Sequence, residues 1–291
     1  MKPLNDLPLL EKAAGLASEA GLELYAVGGC VRDWALGRPS ADIDFLLSGD
    51  AAPVVRGLEA VYGGRHEKFG PFLTVRFFSA EGRRLDFARF RKETYPRPAA
   101  LPEVSVAASA AEDLKRRDFV CNAMALRLNG PEALALLDPY GGLADIKAGL
   151  VRVLHEKSFE DDPTRIFRAA RFAARFGWQL EAGTLALAAA AVKAGAPGLL
   201  SRQRLRNELL KILGEEKPLP ALELLKTLGA LSFIDPALAF GPQLLTLKTP
   251  RERLAGIAAL MGPAGAAFLT GLKFSNKETQ ALADLARTYK K

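Results

Sequence analysis

The hydrophobic pattern of this 291-residue chain changes once, near residue 140. Before that point, short apolar runs that are typical of strands alternate with segments of helical spacing. After it, apolar residues recur with helical spacing, and no convincing strand follows Leu154. The pattern predicts an α+β fold, in which an N-terminal head with a small mixed β-sheet and helices precedes an all-helical neck and body. We expect the head to span residues 1–140, the neck residues 141–213 and a short body residues 214–291.

After a helix predicted from Leu9 to Ala20, the head continues with a strand, a Gly-Gly turn, a helix and a second strand. Residues 24–27 are apolar and end at Gly28-Gly29, residues 31–36 predict a helix, and residues 42–47 predict the next strand. Residues 84–90 predict a further strand, whereas residues 92–111, rich in Pro and Ala, predict a mobile loop. The helices expected after the head are 163–176, 182–194, 202–213, 221–228, 250–261 and 277–289, the last beginning with a capping box from Ser275 to Glu278.

Composition excludes several classes of protein. A hydrophobic fraction of 49% beside 25% charged residues excludes a disordered chain, and no apolar run approaches the roughly 20 residues that cross a bilayer. The first twenty residues lack a secretory signal, so we expect a cytoplasmic protein without a membrane span. Two cysteines and two histidines leave little basis for a disulfide scaffold, a zinc site or His-centred catalysis. The net charge of 40 − 33 = +7 suggests a polyanionic partner.

Asp42-Ile43-Asp44 is the strongest local signal for chemistry. Alternate residues of a strand project to the same face, so the two carboxylates should lie side by side. Paired carboxylates suit Mg²⁺, which prefers oxygen ligands and supports phosphoryl transfer. The alternative interpretation is a polar strand end without a ligand.

Gly28-Gly29 precedes this pair at a predicted strand-to-helix turn. Paired glycines let backbone N–H groups approach phosphate oxygens closely, and Arg32 would add a guanidinium in the first turn of the helix. A Gly-Gly turn can also be purely structural. Its combination with Arg32 and the Asp-x-Asp pair within eighteen residues favours a phosphate site.

These motifs, in this order, resemble the class II tRNA nucleotidyltransferase and bacterial poly(A) polymerase family of the polymerase-β nucleotidyltransferase superfamily. The first signature comprises Gly28-Gly29-Cys30-Val31-Arg32-Asp33 with Asp42-Ile43-Asp44-Phe45. Four further segments are similar to the sugar-selecting, hinge-like, base-selecting and fifth signatures of the family, and they are residues 116–125, 138–142, 161–172 and 201–213.

The resemblance implies roles for individual residues. Asp42 and Asp44 would be catalytic and hold Mg²⁺, and Asp86 would be the third carboxylate, a general base for an RNA 3′-hydroxyl. Asp118 and Asn122 would lie on one helical face. Asp162 and Arg165 would also share a helical face, and this second pair could read the Watson–Crick edge of a base. The nucleotide-binding residues implied are Gly28, Gly29, Arg32, Asp33, Arg117, Asp118, Asn122, Asp162, Arg165, Arg168 and Arg171.

The expected enzyme is a template-independent RNA nucleotidyltransferase of the CCA-adding type. It would add C and/or A residues to the tRNA 3′ end from CTP and ATP, with Mg²⁺ as cofactor and release of pyrophosphate. The body would contribute to RNA binding. Open alternatives are a poly(A) polymerase, a partial CC-adding or A-adding enzyme, a nucleotidyltransferase acting on a small molecule, and a non-catalytic RNA-binding protein.

Overall fold

A computed structural model describes residues 2–40, 42–70 and 73–289. Within them the chain forms two compact units. The first contains the described residues up to Pro96, with Leu101–Ala148 and Arg152–Leu154; the second contains Arg97–Ala100, Gly149–Val151 and the described residues from His155 onward. The expected α+β fold, with a mixed sheet in the N-terminal part and helices after it, is confirmed. The three-part division at residues 140 and 213 stays a prediction.

The first unit is built on a seven-stranded sheet. Its strands are β1 Leu24–Val27, β2 Ile43–Leu47, β3 Arg65–Phe69, β4 Thr74–Phe78, β5 Arg84–Arg89, β8 Ala125–Arg127 and β9 Leu136–Leu137. They lie in the order β3-β4-β5-β2-β1-β8-β9, in which β2 and β5 pair in parallel and the other neighbours pair antiparallel. The helices of this unit are α1 Leu7–Glu19, α2 Gly29–Ala35, α3 Ala52–Tyr62, α4 Ala110–Leu114 and α5 Gly142–Ala148.

The two faces of the sheet differ in chemistry at β2. Ile43, Phe45 and Leu47 are buried on one face, where the Phe45 ring stacks on Phe87 with 4.5 Å between centroids. Asp44 and Leu46 alternate with them and face the other side. Strand alternation thus confines the carboxylate of Asp44 to one face while an apolar core anchors the strand that carries it.

The prediction of a mobile loop over residues 92–111 is wrong. Strands β6 Arg91–Thr94 and β7 Glu103–Val106 form an antiparallel hairpin, and helix α4 follows them. Neither strand contains a fully buried residue. Main-chain hydrogen bonds hold the hairpin without an apolar stripe, so the hydrophobic pattern carried no signal for it.

The second unit is predominantly helical. Its helices are α6 Ser158–Asp161, α7 Thr164–Phe176, α8 Ala182–Lys193, α9 Arg202–Leu213, α10 Leu219–Thr227, α11 Pro250–Leu260, α12 Gly265–Gly271 and α13 Asn276–Thr288. The predicted capping box of α13 is confirmed, since Ser275 and Glu278 satisfy each other's backbone N–H groups. Two short strands, β10 Leu150–Val151 and β11 Gln179–Leu180, pair in parallel. The expectation of no strand after Leu154 is therefore wrong, because two residues are too few to show a period.

None of the helices in the described ranges is both long enough and apolar enough to span a membrane.

Candidate active site

The sheet brings the predicted carboxylates to one region of the first unit. In the strand register Asp44 of β2 lies opposite Asp86 of β5 and opposite Val27, the last residue of β1. Asp42 comes two residues before Asp44, and both residues are exposed. Asp44 and Asp86 therefore lie on adjacent strands, level with the end of β1 that leads into the Gly28 turn, and Asp42 lies just before β2.

The electrostatic setting of Asp44 disfavours its charge. Desolvation by the surrounding protein raises the pKa of Asp44, the positive charge of Arg117 opposes that rise, and Asp86 and Asp42 add to it. A carboxylate in such a setting gains most from a bound cation, because the cation removes the repulsion between like charges.

Asp86 is held by two arginines. Arg76 Nε and Nη2 donate to its two carboxylate oxygens at 2.7 and 3.1 Å, and Arg84 Nη2 donates to Oδ2 at 2.9 Å. Burial acts to raise the pKa of Asp86, but these hydrogen bonds outweigh it and the net pKa is lowered. Its role as the third carboxylate stays a prediction.

The donor set at the end of β2 fits Mg²⁺. This ion is usually bound by one or two carboxylates and keeps waters or substrate phosphates as its other ligands. Asp44 on β2 and Asp42, two residues before it, supply two carboxylates that are close enough to repel each other and are not fully buried. Across residues 2–40, 42–70 and 73–289 no group of three His, Cys, Asp or Glu side chains is placed to hold a metal. The arrangement thus suits an ion that substrate oxygens help to bind, rather than an all-protein cage.

The Gly28 turn lies against Arg117. Gly28 has φ 78° and ψ −124°, a conformation that L-residues avoid, and a Cβ added there would lie 2.8 Å from Arg117 Nη1. Among the described residues the buried Arg117 Nε has no hydrogen-bond acceptor. The turn therefore places a side-chain-free backbone beside a positively charged guanidinium.

We expect Gly28→Ala to reduce kcat/KM for the nucleotide about tenfold or more, because the new methyl group displaces Arg117 from the turn. Backbone strain should also cost about 1–3 kcal/mol of folding free energy. Steady-state kinetics and chemical denaturation measure the two effects.

Gly37→Ala is the matched control for this substitution. Gly37 also has a positive φ, 72°, but nothing lies within 4 Å of a Cβ built there. Gly37→Ala should lose a similar amount of folding free energy, but its kcat/KM for the nucleotide should fall much less than that of Gly28→Ala. Equal kinetic losses in the two variants would show that strain alone accounts for the Gly28 effect.

Arg117 is anchored by a carboxylate that the sequence interpretation did not select. Asp113 is fully buried and accepts hydrogen bonds from Arg117 Nη2 at 3.3 Å, from Arg116 Nε at 3.2 Å and from the backbone N of Arg91 at 3.1 Å. The available signal was its spacing of three and four residues before two arginines. Asp113 therefore anchors the end of the Arg117 side chain.

A second buried network joins the first and second signatures. Arg32 Nη1 donates to Asn122 Oδ1 at 2.6 Å, and Arg32 Nε donates to Asp33 at 3.0 Å. Asn122 Nδ2 in turn donates to Asp118 Oδ1 at 3.0 Å. The structure thus brings these four predicted residues together.

The expectation that Asp118 and Asn122 share the face of an α-helix is wrong, because no α-helix joins them. Phe119 is extended, and only residues 120–122 form a short 3₁₀ helix. Asp118 reaches Asn122 across this turn because its Oδ1 also accepts the backbone N–H of Phe119 at 2.8 Å. A polar cap on a single turn thus produces the contact that an α-helix would have produced.

The predicted base-selecting residues lie in the second unit. Asp162 is extended and precedes α7, so the expectation of a shared helical face with Arg165 is wrong. Its Oδ1 accepts from Thr164 N at 3.1 Å and from Arg204 Nη2 at 2.6 Å, and the Pro at residue 163 explains why the helix cannot begin earlier. Arg165 is buried and donates to Ser158 Oγ at 2.8 Å.

The two remaining predicted arginines lie along α7 around Phe172. Arg168 is half-buried, with its guanidinium 5.6 Å from the centroid of that ring. Arg171 is buried and pairs with Glu215 at 3.3 Å, and desolvation followed by the charges of Arg168 and Arg175 lowers its pKa. In the structure Arg171 forms an ion pair with Glu215, and its contact with a nucleotide stays a prediction.

Comparisons with known proteins point to one family of nucleotidyltransferases. Residues 24–152 match the poly A polymerase head domain, and residues 192–240 match the probable RNA and SrmB-binding site of polymerase A. The A-adding tRNA nucleotidyltransferase of Halalkalibacterium halodurans is 38% identical over 77% of this chain and 53% of its own length. The CC-adding tRNA nucleotidyltransferase of Deinococcus radiodurans is 40% identical over 59% of this chain and 44% of its own length.

A solved structure extends the likeness to the fold. A tRNA nucleotidyltransferase complexed with a primer tRNA and an incoming ATP analog matches with a TM-score of 0.71 and 31% identity, covering 96% of this chain and 82% of that one. The chain spans only about half the length of the two curated relatives above. On the motifs, the fold and these matches, the chain belongs to the class II tRNA nucleotidyltransferase and bacterial poly(A) polymerase family.

Proposed function

We propose that this chain adds C and/or A residues to the 3′ end of tRNA from CTP and ATP, with release of pyrophosphate. The observation that carries the proposal is the placement of Asp44 on β2, opposite Asp86 and beside the Gly28 turn, with Asp42 two residues before it. Such a site combines paired carboxylates for a metal with backbone and guanidinium donors for a triphosphate. Relatives that are 38% and 40% identical to this chain carry the names A-adding and CC-adding tRNA nucleotidyltransferase.

In the proposed reaction the RNA 3′-hydroxyl attacks the α-phosphate of the incoming nucleotide and pyrophosphate leaves. Mg²⁺ bound by Asp42 and Asp44 would favour ionisation of the hydroxyl and neutralise charge on the phosphates. Asp86 accepts the hydroxyl proton, and the Gly28 turn with Arg117 orients the triphosphate. Each group thus acts on a different part of the transition state.

Base selection in this proposal falls to Asp162 and Arg165. A carboxylate accepts hydrogen bonds from the exocyclic amino group that cytosine and adenine share, and a guanidinium donates to ring acceptors. Protein side chains at this position would replace the bases of a template strand.

Addition to a tRNA transcript that lacks its 3′ CCA tests the proposal. The transcript, and versions ending in C and in CC, are incubated with Mg²⁺ and CTP alone, ATP alone or both, and products are resolved to one nucleotide. CCA addition requires both nucleotides, CC addition needs CTP alone, and A addition requires the CC-ended transcript. A long homopolymer from ATP would identify a poly(A) polymerase instead, and no incorporation into any of the RNAs would refute the nucleotidyltransferase proposal.

A further inference from the structure

Arg204 of α9 joins two segments that are distant in sequence. Its Nη1 donates to the backbone O of Ala99 at 2.7 Å, and its Nη2 donates to Asp162 Oδ1 at 2.6 Å. Ala99 has a left-handed φ of 60°, and its N–H lies 3.3 and 3.2 Å from the backbone oxygens of Glu160 and Asp161. One guanidinium therefore ties the turn at residues 97–100 to the carboxylate that follows α6.

The Asp162 carboxylate is used asymmetrically. Its Oδ1 accepts from Arg204 Nη2 at 2.6 Å, from Thr164 Oγ1 at 2.7 Å and from Thr164 N at 3.1 Å. Within the described ranges, Oδ2 has no protein donor, and the side chain retains 22% of its exposure. Three donors on one oxygen fix the carboxylate plane, so the other oxygen is a free acceptor with a defined direction.

We propose that Arg204 is a positioning residue for nucleotide selection, acting through Asp162. This inference rests on the proposed function, in which Asp162 reads the base. An oxygen held in one place accepts an exocyclic N–H of cytosine or adenine, whereas the oxo group of uracil or guanine would set two acceptors against each other. A carboxylate that rotates freely can turn away from an oxo group and loses this discrimination.

Arginine suits this role better than lysine. Its planar, forked guanidinium offers separate N–H groups that reach Ala99 O and Asp162 Oδ1 together, whereas an ammonium is a compact point charge on a flexible stem. Arg204→Lys should therefore retain the charge and recover only part of the selectivity.

The test is nucleotide selectivity of the full chain with tRNA transcripts. The selectivity ratios are kcat/KM for CTP over UTP and for ATP over GTP, each taken on the transcript that accepts the cognate nucleotide. We expect Arg204→Ala to lower the ratio about tenfold for whichever cognate nucleotide the protein uses. Most of the change should come from faster use of UTP or GTP, which a general loss of stability would not produce.

Arg206→Ala is the matched control. Arg206 lies on the same helix, donates to the backbone O of Leu272 and Lys273 and stacks on Phe274, so its loss also removes contacts to backbone carbonyls. It does not contact Asp162, and the selectivity ratio should be unchanged. Thr164→Val, which removes one donor to Asp162 Oδ1, should lower the ratio in the same direction as Arg204→Ala.

The order of action is tested by combining substitutions. With Asp162→Ala already present, Arg204→Ala should cause no further change in the ratio, because the group it positions is gone. An unaltered ratio in Arg204→Ala, or an equal further loss in the Asp162→Ala background, would overturn the inference. Failure of the unsubstituted chain to add any nucleotide would instead overturn the proposed function.

Discussion

Replacing Asp44 by Asn is expected to lower kcat for nucleotide addition by about 1,000-fold or more, because it removes one of two carboxylates that would bind Mg²⁺ at the reacting phosphate. The same size of loss is expected for Asp42→Asn. Nucleotide addition to a tRNA transcript at saturating Mg²⁺ and nucleotide measures both. Activity within tenfold of the unsubstituted protein in either variant would contradict the metal assignment.

The stability of Asp44→Asn separates a lost ligand from a damaged fold. Desolvation and neighbouring carboxylates raise the pKa of Asp44, so the folded protein holds that proton more tightly than the unfolded chain does. Stability is therefore lost as the pH rises through the range in which Asp44 ionises, and Asn removes that cost. At neutral pH without Mg²⁺ the variant should unfold at no lower urea concentration than the parent.

Asp50→Asn is the control for this pair. Asp50 lies in the exposed turn beyond the other end of the same strand, where its Oδ1 accepts the backbone N–H of Ala52. An asparagine oxygen can accept the same bond, so activity and stability should both stay near those of the parent.

Asp113→Ala is expected to destabilise the fold by about 3–5 kcal/mol, the range found when one partner of a buried ion pair is removed. The substitution leaves Arg116 and Arg117 without their shared carboxylate and orphans the backbone N–H of Arg91. Urea unfolding followed by circular dichroism measures the loss. Because Arg117 loses its anchor, any remaining folded enzyme should also show a raised KM for the nucleotide.

Asp284→Ala provides the comparison for Asp113. Asp284 pairs with Arg287 three residues along α13, and both side chains are more than half exposed. Solvent screens such a pair, so its removal should cost less than about 1 kcal/mol. If Asp113→Ala cost no more than Asp284→Ala, the buried hub would have no special energetic role.

The parts of the fold that were predictable have a strong local period. Helices α7 and α9 and strand β2 combine regular apolar spacing with clear breaks in the sequence, and this pattern alone predicts their positions. The β6–β7 hairpin was missed because its side chains stay partly or fully exposed. Pairing between backbones depends on chain geometry, which hydrophobicity does not record.

In the candidate site, contacts between neighbours in sequence were predictable and distant ones were not. Asp42 lies close enough to Asp44 to raise its pKa, as the two-residue spacing predicts. Asp113 looks like an ordinary charged residue until its burial is known, and Arg204 meets partners 105 and 42 residues away. A sequence read without its fold offers no way to choose among the 40 basic side chains for such a contact.

The parallel pairing of β2 with β5 also bears on how the site assembles during folding. Strands β3, β4 and β5 are antiparallel neighbours joined by short connections, so they can pair with little loss of chain entropy. β5 reaches β2 only by closing a much longer loop through α3, β3 and β4. Because long-range contacts form slowly, Asp44 and Asp86 should come together late, after the local meander exists, and the chain need not bring their like charges together in its earliest folding steps.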